Sequence, residues 1–175
     1  MAAAGGERRI LGIDPGSVRT GFGIIAVDGA RSRYIASGVI QAGSGAFAER
    51  LHTIFAGLTE VIAEHAATES AIEEVFVNRN IQSALKLGQA RGAAICACAG
   101  AGLSVAEYSA RAIKQALVGR GGAEKTQVGY MVRTVLGLQG ELREDAADAL
   151  AVALSHAQHD RFRRQMARSS PGGAA

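Results

Sequence analysis

The sequence predicts an α/β domain, a mixed sheet flanked by helices, and two observations support this. The chain opens with three β-rich segments joined by tight turns at Pro15-Gly16 and Asp28-Gly29, which indicates an antiparallel meander. Apolar residues then recur at helical spacing in several stretches, with short apolar segments between them. Strands that alternate with helices favour a sheet with helices packed on its faces.

The predicted element order is β-β-β-α-β-α-β-α-α-α. The strands are predicted at residues 10–13, 21–27, 33–41, 70–77 and 103–108. The helices are predicted at Phe47–His65 and at 82–100, 109–118, 124–136 and 144–159. No internal repeat or long linker divides the chain. We expect a disordered leader at residues 1–8, one domain at 9–159, and a basic, disordered tail at 160–175.

Composition is ordinary for a globular protein of one domain. The chain has 175 residues, of which 48% are hydrophobic and 20% charged, with a formal charge of +3 that permits an anionic partner. It has no signal-peptide pattern and no apolar run of membrane-spanning length, so we expect a cytoplasmic protein without a membrane partner. Cys96 and Cys98 do not share a helix face, and we expect both to be small buried residues.

Asp14 is unusual because it ends a strand that is otherwise fit for burial. A buried carboxylate is unfavourable unless it is paired, solvated or bound to a metal. An aspartate before Pro-Gly also commonly initiates a turn. Both interpretations stay open on this stretch alone.

Three further acids suggest a partner set for Asp14. Glu73 lies in a short apolar strand, and Asp145 and Asp148 are three residues apart on one face of the last helix. The last two could equally be a cap and a solvated acid in the first turn of the helix. If all four converge, their hard oxygens suit Mg²⁺ or Mn²⁺, and two such ions can clamp a phosphoryl displacement.

Four long segments closely resemble the bacterial RuvC family of Holliday junction resolvases. They are GIDPGSVRTGFGII, AIEEVFVNRNIQSALKLGQARG, EYSARAIKQALVGRGGAEKTQV and REDAADALAVALSH, and the resemblance covers about residues 8–159. It implies an RNase H-like fold, in which a five-stranded mixed sheet of an antiparallel meander plus parallel strands is flanked by helices.

The resemblance also implies an activity. The family is a homodimeric, metal-dependent endonuclease of recombination and repair. It nicks two opposed strands of a four-way DNA junction symmetrically and leaves 5′-phosphate and 3′-hydroxyl ends. The resemblance implies Mg²⁺ as the metal, replaceable by Mn²⁺, with two ions per site. It also implies a branch-migration complex of the RuvA–RuvB type as partner.

Residue by residue, the resemblance makes Asp14, Glu73, Asp145 and Asp148 the metal-binding catalytic acids. Glu74 falls at a variable position of the family motif, and strand alternation lets only one of Glu73 and Glu74 face the site. Lys114 and Lys125 match lysines that the family needs for cleavage.

DNA contacts are expected from basic residues near the acids and from one aromatic residue. The basic candidates are Arg79, Lys86, Arg91, Lys114, Arg120 and Lys125. Phe76 is either a core residue or, as the resemblance implies, an aromatic that stacks on an unpaired base at the junction centre. The resemblance further places a homodimer contact around the helix at 82–100, which is rich in alanine and glycine.

Three other functions fit the sequence less well. An RNase H-like nuclease acting on RNA would share the first-strand aspartate and its turn but not the long KLGQARG and AEKTQV segments. An actin-like ATP-binding protein would need two lobes, for which the chain is too short. A junction-binding protein without catalysis would not need four acids.

Overall fold

The computed structural model describes residues 7–75 and 80–169, and there the chain follows the predicted element order. The strands are β1 (Arg8–Asp14), β2 (Arg19–Asp28), β3 (Arg31–Gln41), β4 (Glu69–Glu73) and β5 (Val105–Tyr108). The helices are α1 (Phe47–His65), α2 (Ile81–Gly100), α3 (Ala110–Val118), α4 (Lys125–Leu136) and α5 (Glu144–Ser169). None of the helices in these ranges is long and apolar enough to cross a membrane.

The strands form one mixed sheet in the order β3-β2-β1-β4-β5, which confirms the predicted sheet. The β1–β2 and β2–β3 pairs are antiparallel, whereas β4 runs parallel to both β1 and β5. Ile13 pairs with Ile72, so the next residues, Asp14 and Glu73, end neighbouring parallel strands at one edge of the sheet. The topology therefore brings the first two predicted acids to the same place.

Each face of the sheet buries its own apolar core. One core packs α1 and α2 against alternate strand residues such as Leu11, Ile13 and Ile72. The other core packs α3, α4 and α5 against the opposite set, which includes Ile10 and Ala71. Because side chains alternate along a strand, Asp14 and Glu73 share the face that α5 covers.

Helix α5 packs unusually close to β1 and β2 because those strands carry glycine where the helix crosses them. A methyl group at Gly12 would overlap the carbonyl oxygen of Ala149 and lie 2.6 Å from the amide nitrogen of Ala153. At Gly21 a methyl group would overlap the carbonyl of Asp145. The first turns of α5 thus lie directly against the strand pair that carries Asp14.

Both predicted termini of the domain differ from the structure. The last helix does not end at residue 159 but continues to Ser169, so the first ten residues of the expected disordered tail are helical. Asp160 pairs with Arg164 one turn later at 2.7 Å, and arginine, glutamine, methionine and alanine are good helix formers. Arg8, assigned to the leader, opens β1 and pairs with Glu69 at 2.5 Å. Residues 1–6 and 170–175 lie outside the described part of the chain.

Cys96 also differs from the expectation. It is exposed on α2, whereas Cys98 is buried as predicted. The Ala/Gly-rich composition around the two residues does not reveal which positions of the helix face solvent. Only the packing of α2 on α1 and the sheet decides that, and the two cysteines fall on opposite sides of this boundary.

Gly12→Ala should destabilise the fold, because the added methyl group forces α5 away from β1. We expect a loss of about 1–3 kcal/mol in the free energy of unfolding, measured by urea denaturation. Gly129→Ala in α4 is the control, since a methyl group there meets nothing within 4 Å and should not destabilise the helix. Equal stability of the Gly12 variant and the wild-type protein would refute the close-packing argument.

Candidate active site

A cavity of about 190 Å³ opens where β1 and β4 end and α5 begins. Acidic and basic side chains share its wall with apolar ones. It is lined by Asp14, Glu73, Ala110, Ile113, Lys114, Lys125, Val128, Asp148 and Ala151. Three of the four predicted acids and both predicted catalytic lysines therefore meet in one concave site.

The β1–β2 turn is held in place by local contacts. The Thr20 hydroxyl donates to the carbonyl of Gly16 at 2.9 Å and lies 3.3 Å from its amide nitrogen. Arg50 on α1 donates to the carbonyl of Ser17 and stacks over the Phe47 ring, 5.2 Å from its centroid. These contacts fix the turn directly after Asp14.

Glu73, rather than Glu74, lines the cavity, as strand alternation predicts. Glu73 is the last residue of β4 and pairs with Tyr108 of β5. The two adjacent acids thus have different surroundings, although the sequence around them gives both the same apolar context.

The two aspartates of α5 have different partners. Asp148 lines the cavity and accepts from the Lys125 ammonium at 3.1 Å. Asp145 forms an ion pair with Arg19 at 3.3 Å and is not part of the cavity wall. Glu144, which was left out of the predicted site, binds the same Lys125 ammonium at 2.9 Å.

Burial and the neighbouring acids raise the pKa of two carboxyl groups, those of Asp14 and Glu73. Burial, followed by the charges of Asp148, Glu73 and Asp145, raises the pKa of Asp14 to about 7, against an opposing effect of Lys125. Burial and the charge of Asp148 also raise the pKa of Glu73, although Lys125 and Lys114 oppose this. The pKa of Lys125 is raised mainly by its hydrogen bond to Glu144. The site thus carries an excess of negative charge that its own cations only partly offset.

Within residues 7–75 and 80–169, no three acidic, histidine or cysteine side chains are grouped closely enough to hold a metal ion as they stand. The donor chemistry nevertheless fits a hard divalent cation. Carboxylate oxygens are the preferred ligands of such ions, and burial together with the charges of Asp148, Glu73 and Asp145 raises the pKa of Asp14, so a cation beside it would be favourable. Lys125 and Arg19 occupy two of the carboxylates that would have to turn towards an ion.

The predicted DNA contacts are scattered around the site. Lys86 on α2 and Arg120 after α3 are exposed and do not line the cavity. Arg91 contacts the protein itself: its Nε donates to the Glu73 carbonyl at 3.0 Å, and its terminal nitrogen binds the Glu107 carboxylate. Phe76 and Arg79 lie outside the described residues.

Sequence reasoning missed Arg19, Arg50 and Glu144 as residues that contact or support the site. Arg19 and Glu144 lie within segments already identified, but their partners, Asp145 and Lys125, are far away along the chain. No spacing pattern links such pairs. The one sequence signal that could have identified any of these three residues is that Arg19 lies close to the turn after Asp14.

This sheet, with carboxylates at the ends of β1 and β4 and at the start of α5, defines a nuclease of RNase H-like fold. The family model described as "Crossover junction endodeoxyribonuclease RuvC" matches residues 10–156. The chain belongs to the RuvC family, whose members are metal-dependent nucleases.

Relatives match over most of both chains. The crossover junction endodeoxyribonuclease RuvC of Halorhodospira halophila is 59% identical over 155 residues, which cover 86% of this chain and 90% of the relative. That of Alkalilimnicola ehrlichii is 56% identical over 148 residues, or 85% and 90% of the two chains. The structure of Thermus thermophilus RuvC in complex with a Holliday junction substrate matches with a TM-score of 0.84 at 38% identity, covering 89% of this chain and 96% of that one.

The raised pKa of Asp14 predicts a pH-dependent stability in metal-free protein. The folded state retains a proton up to about pH 7, whereas the unfolded chain releases it near the ordinary value of 3.8. The folded state therefore binds more protons between these values, and stability falls as the pH rises through this window. Asp14→Asn should make this fall smaller, leaving the contribution of Glu73, and should be more stable than wild type by a few kcal/mol at about pH 8.

Urea denaturation in the presence of a chelator, at about pH 5 and about pH 8, measures the effect. Asp28→Asn is a matched control, because Asp28 is exposed at the far end of β2. A difference between Asp14→Asn and wild type that is the same at both pH values would contradict the charge-cluster argument.

Proposed function

We infer that this protein is a structure-specific endonuclease that resolves four-way DNA junctions in recombination and repair. It introduces paired symmetric nicks that leave 5′-phosphate and 3′-hydroxyl ends. One observation carries this conclusion. In a chain of the RuvC family, a single cavity brings Asp14, Glu73 and Asp148 together with Lys114 and Lys125.

We propose that the metal is Mg²⁺, for which Mn²⁺ can substitute, with two ions per site. Asp14, Glu73, Asp145 and Asp148 would hold them through hard carboxylate oxygens. Asp145 would exchange its partner Arg19 for an ion. When bound, such ions supply an activated water as nucleophile and stabilise the leaving oxygen of the phosphodiester. The charge excess at Asp14 supports this assignment, because added cations relieve it.

Lys114 and Lys125 are proposed to stabilise charge on the scissile phosphate. Both line the cavity, and the Lys125 ammonium lies 3.1 Å from Asp148. A fixed cation beside a phosphate that gains negative charge lowers the barrier more in a concave site than it does in water. The contact with Glu144 holds Lys125 at the mouth of the site before DNA arrives.

The wider DNA path is proposed to follow the exposed cations Lys86 and Arg120, together with Arg79. Phosphate contacts of this kind position the substrate without reading its sequence. Phe76 is proposed to stack on an unpaired base at the junction centre, three residues after Glu73 in sequence. Arg91 is a weaker candidate for a phosphate contact than Lys86 or Arg120, since its guanidinium is engaged with protein acceptors.

We propose that the active form is a homodimer. One face of α2 carries an apolar stripe that has no partner within the described chain, in which Ile81 and Leu85 are 69% and 63% exposed. Gly88 and Gly92 continue the stripe, and nothing lies within 4 Å of a methyl group placed on either. An isologous pairing of two such faces would present two equal sites to a junction of two-fold symmetry.

We further propose that the protein is cytoplasmic and cooperates with a branch-migration complex of the RuvA–RuvB type.

The direct test incubates the protein with a mobile four-way junction, a linear duplex and a structured RNA, each with Mg²⁺ or with EDTA. We expect symmetric nicks in the junction alone, and only with Mg²⁺. Asp14→Asn should lower the cleavage rate by at least about 100-fold, because a charged metal ligand becomes a neutral amide. The variant should still bind the junction in a gel-shift assay.

Two outcomes would refute the proposal. The first is cleavage of linear duplex or RNA at the same rate as the junction, which would identify a nuclease of other specificity. The second is full activity in EDTA, which would remove the role of the metal.

Lys125→Gln should lower the cleavage rate at saturating enzyme by about 10- to 100-fold, with little effect on the junction dissociation constant. The reason is that its charge acts on the reacting phosphate. Arg133→Gln in the same helix α4 is the control, because Arg133 does not line the cavity. Loss of binding without loss of the saturated rate would make Lys125 a simple DNA contact.

A further inference from the structure

Arg91 lies behind the active site, on the opposite face of the sheet. It belongs to α2, whereas the carboxylate of Glu73 points towards α5. The side chain of Arg91 is only 18% exposed. Its Nε donates to the backbone carbonyl of Glu73 at 3.0 Å, and its terminal nitrogen binds the Glu107 carboxylate on β5. The guanidinium of Arg91 thus connects α2 with β4 and β5 at the end of β4.

The direction of the Glu73 carbonyl follows from the hydrogen bonds of its neighbours. The amides of Ser70 and Glu74 donate towards β5, to the carbonyls of Ser104 and Tyr108, at 3.0 Å and 2.9 Å. Backbone groups of successive strand residues point to alternate sides. The carbonyl of Glu73 therefore faces β1.

On the β1 side the expected donor is missing. The parallel register pairs Ile13 with Ile72, so the donor for the Glu73 carbonyl would be the amide of residue 15. Residue 15 is proline, which has no N–H group. The same Asp-Pro-Gly turn that follows Asp14 thus leaves an unsatisfied acceptor beside the second acid. Arg91 supplies the missing hydrogen bond.

We propose that Arg91 is a positioning residue that orients the Glu73 carboxylate by holding the Glu73 backbone. The proposal rests on the proposed function, in which Glu73 is a metal ligand. Pairing between β1 and β4 extends only to Ile72, so Arg91 fixes the residue at which β4 loses contact with β1. A planar guanidinium can serve the carbonyl and the Glu107 carboxylate together, which a lysine ammonium cannot do with the same geometry.

The positioning role predicts a different outcome from a DNA contact. Arg91→Gln should lower the cleavage rate at saturating enzyme by at least about tenfold, since small misplacements of catalytic groups have effects of this size. It should also raise the Mg²⁺ concentration needed for the half-maximal rate. Junction affinity in EDTA, and its dependence on salt, should stay within about twofold of wild type because no phosphate contact is lost. Arg91→Lys should recover part of the rate.

Two comparison variants make the result interpretable. Lys86→Gln, on the exposed side of the same helix, should weaken junction binding without raising the Mg²⁺ concentration needed for the half-maximal rate. Glu73→Gln should be inactive. If Glu73→Gln cleaves normally, the proposed function fails at that residue. If Glu73→Gln is inactive but Arg91→Gln keeps the wild-type rate and Mg²⁺ dependence, the positioning role is wrong.

Weaker junction binding by Arg91→Gln, with a shallower salt dependence and a normal saturated rate, would also overturn the proposal and make Arg91 a phosphate contact. Thermal unfolding of each variant sets an assay temperature at which all are folded. Partial recovery by Arg91→Lys at that temperature separates loss of the hydrogen bond from general destabilisation.

Discussion

The close packing of α5 on β1 and β2 is the contact on which the site depends. Gly12 and Gly21 remove the side chains that would otherwise keep the helix at an ordinary distance. Alanines on the facing side of α5 complete the fit, and Ala149 and Ala153 are fully buried there. The contact brings the first turns of α5, with their acids, against the end of β1. The cavity takes Asp14, Glu73 and Asp148 from three separate segments, so it needs such a contact, because none of the segments can form it alone.

This packing concentrates negative charge in a partly buried place, which is unfavourable for folding. The protein offsets it with cations from different elements. Arg19 pairs with Asp145, and Lys125 contacts both Asp148 and Glu144. Burial and the remaining negative charge of Asp148, Glu73 and Asp145 together still raise the pKa of Asp14 to about 7. The divalent cations proposed for the cavity would relieve this negative charge, so the instability of the metal-free fold and the proposed metal binding have the same origin.

A second polar cluster lies on the same face of the sheet, between α5 and the strands β4 and β5. His156, 5% exposed, lies 2.9 Å from the Tyr108 hydroxyl and 3.1 Å from the Glu69 carboxylate, which Arg8 also binds. His156 lies in the interior of α5, which continues to Ser169, and it is buried against β4 and β5.

The sequence by itself determined the order of strands and helices and the family, and it singled out Asp14, Glu73 and Asp148, which line one cavity. Hydrophobic periodicity, turn chemistry and long motifs are local signals, and they can be recognised without knowledge of the fold. Only the tertiary structure decided that Asp145 faces Arg19, that Cys96 is exposed, and that Arg91 holds the Glu73 backbone instead of standing free. These features depend on pairs of residues from separate elements. Their contacts arise from strand register and helix packing, which no spacing along the chain encodes.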